Sequence, residues 1–139
     1  MSAPIALAPA CTLSVGERST GLLTVAAARM LLVLTRHRPN RIRRVLRLLR
    51  RGGGETDLRR AERAWGIVTT VSLRCASGHG CLRRSLAVIL LCRLQGIDLT
   101  WQVGLRSPPP QSHAWVEVGG EPVCEAVDPR LIYTPILTV

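Results

Sequence analysis

SLRCASGHGCLRRSLAVILLCRL, residues Ser72–Leu94, is the stretch whose reading decides this fold. It reads as the end of one helix, a loop broken by glycine, and a second helix whose first residue is Cys81. Leu82, Leu86, Val88 to Leu91 and Leu94 make that second helix apolar over more than one face, which predicts a buried central element. Gly80 lets the backbone turn sharply just before it. A thiol at a helix N-terminus sits among unpaired backbone N–H groups at the positive end of the helix dipole, which favours thiolate. Cys81 is therefore a nucleophile candidate.

A chain of 139 residues bounds the answer to one domain with a single core. Hydrophobic residues make up 47% and aromatics only 3%, with no Phe, so that core is built from Leu, Val, Ile and Ala. The net charge of +10 is carried by arginine alone, because the sequence has no lysine. A Walker-type phosphate loop lacks its lysine here, which excludes ordinary ATP or GTP hydrolysis by this chain alone. Fourteen of the 19 basic residues lie at or before Arg74, giving the first half a basic surface open to an acidic partner, nucleic acid or an anionic membrane. Five cysteines at irregular spacing fit a reduced, cytoplasmic protein rather than a disulfide scaffold. Cys75, His79 and Cys81 lack the second ligand pair that would close a zinc site.

In chain order, residues 1–16 read as an Ala/Pro-rich flexible tail without the charge pattern of a signal peptide. The apolar run Gly21 to Leu34, interrupted by Arg29, falls short of the ~20 residues that cross a bilayer and is expected to be a core helix. Asn40 is expected to cap a basic amphipathic helix with Ile42, Val45, Leu46 and Leu49 on one face, ended by Gly52 to Gly54. Thr56 or Asp57 caps a third helix that turns Leu58, Ala61, Trp65, Val68 and Val71 to the core. After the Cys81 helix, Leu99 to Leu105 reads as a strand. HAWVEV, a Gly119-Gly120 turn and EPVCEAV predict a β-hairpin. The apolar tail DPRLIYTPILTV should dock against it.

A helix-initial cysteine followed by a histidine that opens a strand is the arrangement of papain-like and transglutaminase-like enzymes. The imidazole must reach the thiol, take its proton and return it to the leaving group while a third side chain orients the ring. His113 follows Cys81 by 32 residues, enough chain to bring the two together. His79 is nearer in sequence, but its loop offers no partner to orient it. The words SLRC, GCLRRSLA, LLCRLQG and SHAWVEV, with IRRVLRLLRRG upstream, resemble the leader peptidases of lasso-peptide biosynthesis. These are the small partner half of the split microcin-processing protease, within the transglutaminase-like superfamily.

The resemblance implies an α+β fold in which a helical, basic N-terminal half (17–74) packs on a catalytic core (75–139). That core is a central cysteine-bearing helix against a small antiparallel sheet. It implies Cys81 as nucleophile, His113 as general base, and an acid after the hairpin turn, for which Glu125 or Asp128 can serve. If Gly119 and Gly120 alone form the loop, Val118 pairs with Glu121, His113 faces Ala126, and Glu125 points to the opposite side of the sheet. A bulge or a three-residue turn would restore Glu125 to the histidine's face; otherwise Asp128 lies on the correct face. The Cys81 backbone N–H is an expected oxyanion donor, Trp115 walls the site or packs, and Cys75 and Cys92 read as core or support.

The reaction implied is cleavage of the leader from a ribosomally made precursor, with no cofactor or metal. A separate leader-binding protein and the ATP-dependent lasso cyclase are the expected partners. Nucleic acid is not expected as a partner of such an enzyme, and peripheral membrane contact stays open. Two rivals remain at this point: a non-enzymatic basic adaptor using residues 36–51, and acyl transfer through the same thioester.

Overall fold

The computed structural model describes residues 9–50 and 54–139. Its element order is α1 (Val15–Thr35), α2 (Pro39–Leu49), α3 (Leu58–Val71), α4 (Leu73–Ala76), α5 (Cys81–Leu94), β1 (Thr100–Arg106), β2 (Gln111–Val118), β3 (Glu121–Pro122), a 3-10 turn (Pro129–Leu131) and β4 (Thr134–Thr138). This is the expected α+β arrangement of helices against a small antiparallel sheet, with strand order β3-β2-β1-β4. The apolar tail docks as the edge strand β4, and Val139 exchanges backbone hydrogen bonds with Trp101.

α5 is the central element because its sequence leaves it no polar face: Ser85 to Ile89, Leu91 and Cys92 are all buried. One side meets α1 and α3, the other the sheet. Ala114, Val116 and Val118 alternate along β2 into this core, and Trp101 on β1 joins them, its indole N–H donating to Ser85 Oγ on α5 at 3.0 Å. That bond fixes the angle of β1 against α5 by satisfying two polar groups that burial would otherwise penalise.

The N-terminal half differs from the sequence reading in informative ways. Residues 1–8 of the expected tail lie outside the described residues, and from Cys11 onward the chain is held: the Cys11 N–H donates to Thr70 Oγ1 while Arg63 donates to the Thr12 carbonyl. Ser14 and Glu17 form a reciprocal capping box that starts α1 at Val15, earlier than the apolar run. α1 therefore reaches 21 residues and is long and apolar enough to cross a membrane by length and composition, contrary to the expectation that it would fall short.

α1 packs on α5 and α3 through its small side: Gly21, Thr24, Ala28, Leu32 and Thr35 are buried, while Leu23, Met30, Val33 and Leu34 are exposed. A Cβ on Gly21 would lie 2.6 Å from a methyl of Ile67, so close helix approach selects the small residues for the interior.

α2 begins at Pro39 with Arg38 as the uncapped N-cap, so Asn40 lies inside the first turn and does not cap it. Proline suits that first turn because its missing N–H is unpaired there anyway. Ile42 and Leu46 are buried as expected, whereas Leu49 is half-exposed. Gly52 and Gly53 of the expected stop lie outside the described residues. Asp57 caps α3, accepting from the Arg60 N–H. The buried face of α3 is Ala61, Ala64, Ile67, Val68 and Thr69, with Leu58 turned outward.

Candidate active site

The path into α5 is built for a tight approach. α3 stops at Val71, Ser72 caps the short α4, and Ser77–Gly80 turns back with the Gly80 N–H donating to the Ser77 carbonyl. A Cβ at Gly80 would overlap the carbonyl oxygen of Arg74, so only glycine fits. Arg84, one turn into α5, donates to the carbonyls of Cys75 (2.9 Å) and Ser77 (3.3 Å), clamping the loop from the other side. Its guanidinium also sits 5.8 Å over Trp65. Cys81 is the first residue of α5, and its N-cap Gly80 supplies no side-chain cap, so the N–H groups of the first turn are left for another acceptor.

β3 pairs with β2 only at Glu117 and Val118, with one further bond from the Val123 N–H to the Val116 carbonyl. The rest of that edge, around Ala114, is open to α5, and there the Cys81 thiol meets the Ala114 backbone and the His113 side chain. His113 Nε2 lies 3.1 Å from Glu125 Oε2. With Nε2 committed to the carboxylate, Nδ1 is the nitrogen left for the thiol. Cys81, His113 and Glu125 thus lie in one line, with the imidazole hydrogen-bonded to the carboxylate on one side and next to the thiol on the other.

The hairpin explains how Glu125 gets there. Gly119 and Gly120 both have positive φ (57° and 87°), the two-residue turn expected, and Val118 faces Glu121. That register continued would have turned Glu125 away. The strand instead ends at Pro122, which has no N–H for the ladder, and Cys124 adopts a left-handed φ of 53°. The chain folds back and carries Glu125 to the histidine by a kink rather than by a bulge within the hairpin. Asp128 is not brought to the site: it caps the 3-10 turn and pairs with Arg130, Nη2 to Oδ2 at 2.7 Å, which holds its carboxyl below the usual range.

The electrostatics run in one direction. Burial pushes the Cys81 thiol up, but the His113 hydrogen bond, the Ala114 backbone bond and the charges of His113 and Arg84 outweigh it, and the thiol lies below its ordinary value. Burial likewise opposes the imidazolium. Hydrogen bonds to Cys81 and Glu125, together with their charges, prevail and raise His113 to about 9. Thiol down and imidazole up favour a thiolate–imidazolium pair. Burial holds Cys75 and Cys92 in the opposite sense, Cys92 up to about 12.

Two aromatic rings grip the imidazole. Trp115, two residues along the same strand face, stacks at 5.9 Å and Tyr133 at 5.3 Å. Gly104 lies opposite His113 in the β1–β2 register, and a Cβ there would press on both Tyr133 and Trp115. The Trp115 indole N–H donates to the buried Glu117 carboxylate at 2.9 Å, which fixes the ring. The sequence reading weighed Trp115 but missed Tyr133, Arg84 and Cys124. Alternation with Ala114 and Val116 flagged Trp115, whereas no local pattern ties Tyr133 or Arg84 to the site. His79 is exposed in the Ser77–Gly80 loop.

Residues 22–138 match the model of the Transglutaminase-like superfamily. The chain belongs to that superfamily. The match spans α1 to β4 and includes all three residues of the Cys81–His113–Glu125 line. Superfamily membership brings chemistry of the cysteine-protease or acyl-transfer kind, both of which proceed through a thioester. No curated protein and no solved structure matches the chain.

Proposed function

We propose that this transglutaminase-like protein is a cytoplasmic cysteine peptidase that removes the leader from a lasso-peptide precursor. The observation that carries the chemistry is the placement of His113 between the Cys81 thiol and Glu125 Oε2. The substrate class rests on the resemblance of GCLRRSLA, LLCRLQG and SHAWVEV to the lasso leader peptidases.

The Cys81 thiolate attacks the carbonyl carbon at the leader–core junction, and the α5 first-turn N–H groups receive the oxyanion. Collapse of the tetrahedral adduct breaks the C–N bond as His113 gives its proton to the leaving amine. The neutral imidazole then takes a proton from water, hydroxide attacks the thioester, and Cys81 leaves as thiolate. Glu125 holds the ring with Nδ1 toward sulfur and stabilises its positive charge without exchanging the proton.

A separate leader-binding protein raises the local concentration of precursor, and the ATP-dependent cyclase takes the freed core. The test is incubation of the protein with precursor and leader-binding protein, read by mass spectrometry. Two fragments whose masses sum to precursor plus one water support hydrolysis. A fragment joined to an added amine marks acyl transfer, and intact precursor overturns the reading.

A further inference from the structure

At the end of α5 remote from Cys81, α1, the end of α2 and residues Gly96–Asp98 enclose a cavity of about 690 Å³. Arg93 lies twelve residues beyond Cys81, roughly 18 Å along the helix axis, so this cavity is separate from the thiol. Its walls are Leu23 and Ala27 of α1, Leu49 of α2, Leu90 and Leu94 of α5, and Ile97. Leu94 is 74% exposed and Leu23 68%, and Met30 and Leu34 of α1 and Leu48 of α2 are exposed as well. Large apolar side chains left exposed at a concave surface mark an interaction site.

Charge gives the surface a sign. Arg50 and Arg93 both line the cavity, and Asp98, the one acidic residue among the described residues of the lining, lies 3.5 Å from Arg50. Arg93 donates through Nη1 to the Leu46 carbonyl at 2.6 Å, and its Nε and Nη2 are buried without a hydrogen-bond partner among the described residues. After burial, the like charge of Arg50 is what most disfavours the Arg93 cation, and Asp98 only partly offsets it. Among the described residues of the lining, two guanidinium groups stand against one carboxylate, so its net charge is positive.

We propose that this cavity receives an acidic amphipathic helix of a partner protein, with its large apolar side chains between α1 and α5 and a carboxylate beside Arg50 and Arg93. The mode is helix-in-groove recognition. A second copy of this chain, with its own +10 charge, would bring like charges together. The proposal stands whether or not Cys81 cleaves a leader.

The probe is a fluorescein-labelled helical peptide with Leu at i, i+3, i+4 and i+7 flanked by Glu, titrated with full-length protein carrying Cys81→Ala so that no cleavage intervenes. Saturable anisotropy is expected, with at least about tenfold weaker binding for a Glu-to-Gln version of the peptide and for a scrambled one. In the protein, Ala27→Trp plugs the cavity and Leu94→Asp charges its wall. Both positions are exposed, so the fold is retained, checked by circular dichroism and, in the Cys81 background, by an unchanged alkylation rate. Each variant should weaken peptide binding tenfold or more. Equal binding by the variants, equal binding of the scrambled peptide, or no saturable binding overturns the proposal. So does preferential binding to phosphatidylglycerol vesicles, or a dimer in sedimentation that Ala27→Trp dissolves.

Discussion

His113 Nε2 and Glu125 Oε2 meet at 3.1 Å across a hairpin whose own register would have turned them to opposite sides of the sheet. The contact depends on the strand ending at Pro122 and on the left-handed turn at Cys124. It also leaves Asp128 on Arg130, away from the imidazole.

The two carboxylates should therefore separate cleanly. Glu125→Gln is expected to lower kcat for precursor cleavage by roughly 10²–10⁴-fold while precursor binding is retained, because the ring loses its orienting charge. Asp128→Asn should stay within about threefold of wild type, the size of effect a surface pair produces. The reverse ranking in a steady-state assay would assign the acid to Asp128.

Cys81 and His113 act on one proton and should fail as a unit. Cys81→Ala and His113→Ala are each expected to reduce cleavage by about 10⁴-fold or more, and the double variant should be scarcely worse. Additive losses in the double-variant cycle would mean that the two side chains do not share a step.

Iodoacetamide should label Cys81 first at neutral pH. Cys75 and Cys92 are buried with raised thiols, and Cys124, although an exposed residue, has its thiol pushed up to about 11 by burial of the sulfur and by the carboxylates of Glu62 and Glu125. Peptide mapping after brief alkylation reads the order directly. In His113→Ala the rate–pH curve for Cys81 should move upward, since burial then acts with less to oppose it.

Cleavage should show a bell-shaped pH profile whose limbs belong to the coupled pair. Below the lowered value of the thiol the sulfur carries a proton and cannot attack. Above about 9 the His113 imidazole has lost the proton that the leaving amine needs, so kcat/KM falls. A profile still rising at pH 10 would contradict the pairing.

Gly80→Ala tests the loop. Its new methyl would overlap the Arg74 carbonyl, and the backbone must yield, at about 1–3 kcal/mol in stability. Urea unfolding checks this, and the Cys81 alkylation rate should drop in the same variant as the start of α5 shifts.

Much of this was legible in the chain itself. α5 announced itself by apolar residues over more than one face, Cys81 by the glycine before it, and His113 by opening an alternating strand. Glu125 was ambiguous because strand alternation is a statement about extended backbone, and the backbone is not extended at Cys124. Pro122 was a visible warning, since a residue without an N–H seldom continues a ladder. α1 misled in a different way. A long apolar run reads as a core helix with its leucines inward, whereas close packing against Ile67 takes Gly21, with Thr24, Ala28 and Leu32 on the same buried side, and leaves Leu22, Leu23 and Leu34 outside. Close approach between helices is a property of two elements and leaves no mark on either sequence alone.

The left-handed residue at position 124 makes the assembly of the site hinge on a single torsion. A β-branched side chain there is strongly disfavoured at φ near 53°, whereas glycine accepts it freely. With valine at 124 the chain would tend to stay extended and offer His113 the methyl of Ala126 in place of a carboxylate. A protein could thus inherit Cys81, His113 and Glu125 unaltered and still be inert, its defect lying in a residue that performs no chemistry.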